Sequence, residues 1–164
     1  MFPDRLINLA LLVSDNARQK RLRIVTAESC TGGLLAGLFT ELAGSSSVFE
    51  RGFVTYSNHA KQEQLGVPGD MLADFGAVSE AVVRAMAEGA LEASRANIAV
   101  AITGIAGPGG GTPMKPVGTV HIATARENRA ILHEVCNFGD IGRSAVREET
   151  LMTALKLIDA QIMS

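Results

Sequence analysis

Aromatic side chains and basic charge are both scarce in this sequence. It has no tryptophan and one tyrosine, and aromatic residues make up only 4% of the chain. The formal net charge is −2 at pH 7, and the isoelectric point is near 5.9. Proteins that bind nucleic acids depend on basic surfaces and on aromatic rings that stack against bases. We therefore expect no nucleic-acid partner.

Long apolar runs are missing as well. No stretch reaches the roughly 18 apolar residues of a membrane-spanning helix, and residues 1–20 lack the basic leader and apolar core of a secretory signal. We expect a cytoplasmic protein without a membrane partner. The two cysteines, Cys30 and Cys136, match no metal-ligand spacing. The sequence leaves open whether they form a disulfide.

The remaining composition is typical of a globular α/β protein. Of 164 residues, 47% are hydrophobic and 20% are charged, so we expect 1–164 to form a single domain. Apolar periodicity predicts helices at 4–19, 34–42, 61–65, 79–94 and 143–162, strands at 22–27, 52–57, 98–103, 117–124 and 130–137, and a loop at 66–76. The last two strands are joined by a short connection, which predicts an antiparallel pair. The whole pattern predicts a three-layer α/β/α sandwich around a mixed five-stranded sheet.

Three polar or glycine-rich segments follow predicted strands, at 28–33, 56–61 and 103–112. In an open α/β sheet, ligands bind beyond the carboxyl ends of the strands. We therefore expect these three segments to converge on one binding site.

The first segment places Ser29 at a strand-to-helix turn and is followed by Thr31, Gly32 and Gly33. Free backbone N–H groups at such a turn stabilise an oxyanion or a phosphate. In the alternative interpretation Ser29 or Thr31 merely caps the helix, which is the usual role of these residue types. Cys30 is a rival nucleophile, although a small buried packing role is more typical of cysteine.

The second segment contains Tyr56 and Lys61, five residues apart across a strand-to-helix junction. A serine hydroxyl is a weak nucleophile and needs a base nearby. The three histidines form no evident triad with Ser29, and we interpret His59 as a helix-terminus residue. Lys61 is therefore the better candidate base, provided that burial or a neighbouring cation lowers its pKa. The alternative is that Lys61 is a solvated surface charge.

The third segment is rich in glycine but matches neither a Walker loop nor a dinucleotide-binding fingerprint. Its residues Gly104 and Gly107 would allow the backbone to approach a ligand closely. Residues 109–111, with a proline on either side, predict a mobile flap or a turn.

Two arginines lie one helical turn apart near the start of the last predicted helix. Arg143 and Arg147 have the spacing and the charge to bind a phosphate. Ion pairs with Asp140 or Glu148 are an equally good explanation of the same pattern.

Several stretches together resemble the CinA C-terminal domain family. They are 26–33, 52–58 with Lys61, 65–67, 76–79, 103–110 and 116–120, so the resemblance covers nearly the whole chain. The family implies a three-layer α/β/α fold in which one strand of the five-stranded sheet is antiparallel. It also implies a nicotinamide mononucleotide deamidase, which hydrolyses the carboxamide to nicotinic acid mononucleotide and ammonia without a metal or another cofactor.

The resemblance also assigns roles to individual residues. It implies that Ser29 is the nucleophile, that Lys61 is its general base and that Tyr56 assists proton transfer. Arg143 is expected to bind the phosphate of the nucleotide substrate. The other positions expected to bind the oxyanion or the substrate are Cys30, Thr31, Gly32, Gly33, Asn58, Thr103, Gly104 and Gly107.

The chain departs from the family pattern before its last helix. Two additional residues follow Gly139 and Asp140 and displace Arg143, whereas the spacing from Arg143 to Arg147 is kept. Because the chain starts at the amidase-like part, we expect the stand-alone form, and a homodimer is the default for a small enzyme. Two other functions stay open: hydrolysis of another small amide, and nucleotide binding by a regulatory module without catalysis.

Overall fold

The computed structural model describes all 164 residues, which form five strands and six helices. A short 3₁₀ turn at Ser45–Ser47 precedes the second strand. In chain order the elements are α1 Asp4–Gln19, β1 Ile24–Glu28, α2 Leu34–Thr40, β2 Phe49–Val54, α3 Asn58–Leu65, α4 Gly69–Phe75, α5 Glu80–Glu92, β3 Ile98–Gly104, β4 Thr119–Arg126, β5 Leu132–Asn137 and α6 Arg143–Met163.

The five strands form one mixed sheet in the order β2-β1-β3-β4-β5. Strand β1 pairs in parallel with both β2 and β3, whereas β4 runs antiparallel to both β3 and β5. Strand β4 is therefore the one antiparallel strand, and the expected sheet is confirmed. The parallel strands β1, β2 and β3 all direct their carboxyl ends to the same edge, where the three polar segments begin.

The central strand β3 shows why both faces of the sheet are covered. Its larger residues Ile98, Val100 and Ile102 belong to a core of 25 buried residues that includes side chains of α1, α2 and α6. The alternating residues Ala99 and Ala101 belong to a second core, of 14 residues, built mainly with α3, α4 and α5. Side chains of a strand point alternately to opposite faces. The three-layer α/β/α arrangement is thereby confirmed.

The structure shifts the ends of several predicted elements, and two differences matter most. Residues 66–76 are not a loop throughout, because they contain the two-turn helix α4 at Gly69–Phe75, which is bounded by Pro68 and by Gly76 with φ +74°. A proline and a glycine in this stretch predict a loop, but in the structure they flank the two ends of a helix. The second strand ends at Val54 rather than at residue 57, because Ser57 instead caps α3.

No helix in the chain combines the length and the apolar character that crossing a membrane requires.

Helices α3 and α5 approach each other so closely that a side chain at Gly89 of α5 would have no space. A Cβ atom added there would overlap the carbonyl group of Leu65, the last residue of α3. The obstructing atoms belong to the backbone, which cannot rotate away as a flexible side chain does. This contact fixes the position of α3, the helix that carries Lys61, relative to the core.

We expect Gly89→Ala to destabilise the fold by about 1–3 kcal/mol, as in other overpacked interiors. In an unobstructed helix the same change would stabilise by about 0.5–1 kcal/mol. Urea denaturation followed by circular dichroism gives the free energy of unfolding. Gly37→Ala in α2 is the matched control, since the nearest atom outside that helix is Phe2 Cζ at 3.8 Å from the added carbon. Equal effects of the two substitutions would contradict the tight contact.

Candidate active site

A cavity of about 300 Å³ opens at the carboxyl ends of β1, β2 and β3. All three segments that the sequence singled out contribute to it, as expected from the parallel strands. The residues that line the cavity are Ser29, Cys30, Tyr56, Asn58, Lys61, Ala77, Val78, Thr103, Gly104, Ile105, Ala106, Gly107, Gly109, Gly110 and Arg143. This set contains one lysine, one arginine and no carboxylate.

Ser29 is the first residue after β1 and is almost fully buried, with 7% of its surface exposed. Its backbone N–H donates to the carbonyl oxygen of Ile102 in β3 at 3.1 Å, an ordinary length for a hydrogen bond between strands. The residue is therefore held as an extension of the sheet. Its hydroxyl oxygen lies 3.0 Å from the Nζ atom of Lys61.

Lys61 lies in the first turn of α3 and is 1% exposed. The helix begins at Asn58 because the hydroxyl of Ser57 accepts the N–H of Ala60 at 3.0 Å and so caps the first turn. This start directs the lysine side chain inward. The burial that Lys61 requires as a candidate base is therefore observed, and the alternative of a solvated surface charge is wrong.

The Nζ atom of Lys61 is surrounded only by neutral oxygen atoms. Besides the Ser29 hydroxyl, the carbonyl oxygens of Thr55 and Tyr56 lie 2.8 Å and 3.4 Å away. Burial lowers the pKa of the Lys61 amine below its ordinary value, because an ammonium ion loses its hydration there. A neutral amine fits these contacts: its two N–H groups donate to the carbonyls, and its lone pair accepts from the Ser29 hydroxyl.

The turn at residues 29–33, here called the nucleophile turn, leaves some of its backbone N–H groups free. The N–H of Gly32 donates to the carbonyl oxygen of Ser29 at 3.0 Å, so it is not available to an oxyanion. The N–H groups of Cys30, Thr31 and Gly33 have no hydrogen-bond partner in the chain. Of the turn residues after Ser29, only Cys30 lines the cavity.

The Cys30 thiol is an unsuitable nucleophile. Burial raises its pKa to about 11, and the reactive form of cysteine is the thiolate. The thiol is therefore protonated at neutral pH. Cys30 and Cys136 are both free, so the chain contains no disulfide.

Tyr56 and Arg143 meet at the mouth of the cavity. Arg143 donates from Nη1 to the carbonyl oxygen of Gly107 at 2.7 Å and from Nη2 to the hydroxyl of Tyr56 at 3.2 Å. The Tyr56 side chain is 63% exposed. Its hydroxyl is thus bound to Arg143, while its backbone carbonyl is the part of the residue that contacts Lys61.

The two arginines of α6 have different positions. Arg143 lines the cavity, whereas Arg147 lies behind the nucleophile turn and donates from Nη2 to the carbonyl oxygen of Thr31 at 3.1 Å. Neither arginine forms an ion pair with Asp140 or Glu148; Glu148 is paired with Arg5 instead. The ion-pair interpretation is therefore wrong, and only Arg143 is placed to reach a ligand in the cavity.

The third segment is shaped by contacts within the protein. Thr103 donates its hydroxyl to the carbonyl oxygen of Ala77 at 3.0 Å and so ties β3 to the opposite wall. Cβ atoms at Gly104 and Gly107 would lie 2.7 Å from a methyl carbon of Val120 and 2.6 Å from one of Val117. These glycines permit close packing on neighbouring residues, in addition to lining the cavity.

The histidines lie outside the cavity. His59 is exposed at the start of α3, with Nε2 3.4 Å from Oε1 of Glu63. His121 and His133 hydrogen-bond to each other, Nδ1 to Nε2, at 2.9 Å. No histidine contacts Ser29, which agrees with the absence of a triad pattern in the sequence.

Comparison with known proteins gives this arrangement a family. The CinA C-terminal domain matches the chain over residues 7–162. The chain belongs to the CinA C-terminal domain family. The resemblance drawn from the sequence motifs is thereby confirmed.

Relatives in this family match over different lengths. The nicotinamide-nucleotide amidohydrolase PncC of Escherichia coli K12 is 48% identical over 165 residues, which cover 99% of this chain and 98% of that protein. A CinA-like protein of Akkermansia muciniphila is 64% identical over 107 residues, 65% of this chain but only 26% of that protein. The crystal structure of the competence/damage inducible protein CihA from Agrobacterium tumefaciens shares 51% identity and a TM-score of 0.97, covering 100% of this chain and 99% of that one.

Glu28, the last residue of β1, also shapes the site, although the sequence motifs give it no role. Its buried carboxylate accepts the N–H groups of Leu35 and Ala36 at 2.9 Å and 3.0 Å and the hydroxyl of Thr31 at 2.7 Å. The carboxylate therefore caps α2 from the strand side, and the alternative interpretation in which Ser29 or Thr31 caps this helix is wrong. A single acidic residue at the end of an apolar strand, just before a helix, was the available signal.

We expect Lys61 to make stability depend on pH in one direction. Its pKa is lower in the folded protein than the ordinary 10.5, so the unfolded chain binds this proton more tightly. Stability then rises with pH between the folded value and 10.5. Lys61→Met removes this dependence, and the free energy of unfolding of the wild type minus that of the variant should increase from pH 7 to pH 10. Urea denaturation at both pH values measures it.

The matched control is Lys156→Met, which removes an exposed lysine of α6. A wild-type-minus-Lys61→Met difference that stays constant between the two pH values would contradict the burial of an uncharged amine.

Proposed function

We propose that this protein hydrolyses the carboxamide of nicotinamide mononucleotide to give nicotinic acid mononucleotide and ammonia. The observation that carries the proposal is the 3.0 Å contact between Ser29 Oγ and the buried Lys61 Nζ at the base of the cavity. A relative that aligns along almost its whole length, with 48% identity, bears the name nicotinamide-nucleotide amidohydrolase. A nucleotide-linked amide also suits a cavity that is lined by the cationic Arg143 and by no carboxylate.

In the proposed mechanism the neutral Lys61 amine accepts the Ser29 proton while Oγ attacks the amide carbon. Burial lowers the pKa of the Lys61 amine and so increases the share of this neutral form at a given pH. The amide oxygen gains negative charge, and the N–H group of Cys30, which adjoins the attacking serine and lines the cavity, is the proposed donor. Lys61 then transfers the proton to the departing nitrogen. The C–N bond breaks, ammonia leaves, and an ester to Ser29 remains.

Hydrolysis of that ester completes the cycle. A water molecule at the place vacated by ammonia gives its proton to Lys61 and attacks the ester carbon. The tetrahedral intermediate collapses when the C–O bond to Ser29 breaks and Lys61 returns the proton to the serine oxygen. One residue thus serves as base and then acid in both halves of the reaction.

Arg143 is proposed to bind the phosphate of the substrate. Its guanidinium already donates to a carbonyl and to a hydroxyl at the cavity mouth, and a phosphate offers stronger, charged acceptors. We also propose Tyr56 as a residue that assists proton transfer, as the family resemblance implies. The contacts of Tyr56 also support a positioning role. Its hydroxyl orients Arg143, and its backbone carbonyl holds the Lys61 amine.

The regulatory-module alternative gains no support from the geometry. A binding site does not need a lysine buried against a serine, since desolvating an amine costs stability and adds nothing to affinity for an anion. Assembly as a homodimer and a cytoplasmic location stay predictions.

The first test is ammonia release from nicotinamide mononucleotide by the wild type, Ser29→Ala and Lys61→Ala. We expect each substitution to lower kcat at least about a thousandfold, as removal of a nucleophile or its base does in serine hydrolases. Ser29→Ala should keep its affinity for the nucleotide, measured by calorimetry, because the binding residues are intact. Lys156→Ala is the control for a lysine outside the site.

Two results would count against the proposal. Ammonia release by Lys61→Ala at the wild-type rate would remove lysine from the mechanism. Binding of the nucleotide by all variants with no ammonia released by any would favour the regulatory module.

A second test addresses the phosphate. Arg143→Ala should raise KM for nicotinamide mononucleotide about 10–100-fold, the equivalent of a lost charged hydrogen bond. It should change kcat/KM for nicotinamide riboside, which has no phosphate, much less. An equal loss with both substrates would show that Arg143 does not recognise the phosphate.

A further inference from the structure

The guanidinium of Arg147 lies directly against the backbone of the nucleophile turn, on the side away from the cavity. Its Nη2 atom donates to the carbonyl oxygen of Thr31 at 3.1 Å. A Cβ atom on Gly32, whose φ is +57°, would lie 3.3 Å from the same nitrogen. The Nε atom is buried and has no hydrogen-bond partner. A positive charge is thus held at the back of the turn that presents Ser29.

A continuous hydrogen-bonded path leads from this charge to the Cys30 amide. The Thr31 carbonyl belongs to the same peptide group as the Gly32 N–H, which donates to the Ser29 carbonyl at 3.0 Å. The Ser29 carbonyl in turn belongs to the same peptide group as the Cys30 N–H. That N–H has no partner in the chain, and it belongs to the residue beside Ser29 that lines the cavity.

Hydrogen bonds in series polarise one another in a low-dielectric environment. A cation at one end of the path draws electron density toward itself through both peptide groups. The effect at the other end is a more positive Cys30 N–H. The charge of Arg147 also acts on the Cys30 side chain, where it opposes the rise of the thiol pKa more strongly than Arg143 does.

We propose that Arg147 is a positioning residue which fixes the nucleophile turn and polarises the Cys30 N–H as an oxyanion donor. The inference rests on the proposed function in that it takes Ser29 as the nucleophile. Arg147 has no contact with substrate in this scheme, because it does not line the cavity. The two arginines of α6 thus have different proposed roles. Arg143 binds the ligand, and Arg147 positions the nucleophile turn.

The test uses p-nitrophenyl acetate, an activated ester that does not depend on the identity of the natural substrate. Attack by Ser29 forms a bond from Oγ to the acetyl carbon, transfers the serine proton to Lys61 and expels p-nitrophenolate, whose absorbance is followed. The developing charge on the acetyl oxygen requires the same donors as the amide reaction. Mass spectrometry locates the acetyl group on Ser29, and Ser29→Ala provides the blank.

Substitutions at position 147 separate charge from hydrogen bonding. Arg147→Gln keeps a donor for the Thr31 carbonyl but has no charge, and we expect acylation to slow about tenfold, less than when an oxyanion donor is deleted outright. Arg147→Lys keeps the charge, and its acylation rate should stay within about threefold of the wild type. A merely structural role would treat both substitutions alike. With nicotinamide mononucleotide, Arg147→Gln should lower kcat and leave KM within about twofold.

Arg5→Ala is the matched control, since Arg5 contacts Glu148 and Glu149 next to Arg147 but not the turn. It should be acylated at the wild-type rate. Acylation of folded Arg147→Gln at the wild-type rate, or an equal loss in Arg147→Lys, would overturn the inference. If the glutamine variant does not fold, Arg147→Ala is tested instead, with millimolar guanidinium added to replace the missing side chain. Rescue of Ser29 acylation supports the inference. No rescue in a folded variant overturns it.

These outcomes distinguish the inference from the proposed function. Acylation of Ser29 without ammonia release from nicotinamide mononucleotide would disprove the proposed substrate, while the ratio of acylation rates would still decide the role of Arg147. Failure of the wild type to be acylated at all would overturn both.

Discussion

A lysine amine buried without a counter-ion is the constraint on which the site depends. Lys61 remains in place because two backbone carbonyls and one hydroxyl replace the water that its amine has lost. Those carbonyls belong to Thr55 and Tyr56, so β2 must end at Val54 for them to turn toward the amine. The cap at Ser57 then starts α3 so that the Lys61 side chain points inward. The junction between β2 and α3 thus supplies the hydrogen-bond acceptors that the buried Lys61 amine requires.

The nucleophile turn is held by two charged side chains. The carboxylate of Glu28 binds the Thr31 hydroxyl and the first free N–H groups of α2. The guanidinium of Arg147 binds the Thr31 carbonyl. Thr31 is therefore fixed through its side chain and its backbone at once.

Much of this arrangement could be predicted from the sequence. The apolar runs located all five strands, and parallel strands bring their carboxyl ends to one edge, so Ser29, Lys61 and Thr103 were expected to meet. The strands can be located in this way because each one is a short apolar run bounded by polar or glycine-rich residues. The family resemblance supplied the single antiparallel strand, which the structure confirms.

What the sequence did not reveal depends on contacts between distant residues. The sequence pattern does not reveal helix α4, because a proline and a glycine such as Pro68 and Gly76 are as common at the ends of a helix as they are in a turn. The position of Arg147 behind the turn, rather than in the cavity, depends on how α6 lies across the sheet. The spacing of Arg143 and Arg147 was visible, but two residues one turn apart can face different neighbours, and only the packed helix shows which.

Helix α6 is 21 residues long, and its first two turns contact both the cavity mouth, through Arg143, and the nucleophile turn, through Arg147. Its buried side chains, among them Val146 and Leu151, lie in the larger core. Any rotation or sliding of the helix about those residues displaces both guanidinium groups together. The packing of the core therefore determines the geometry of the site. Buried side chains of α6 that do not contact a ligand set the distance between the Arg143 guanidinium and the nucleophile turn.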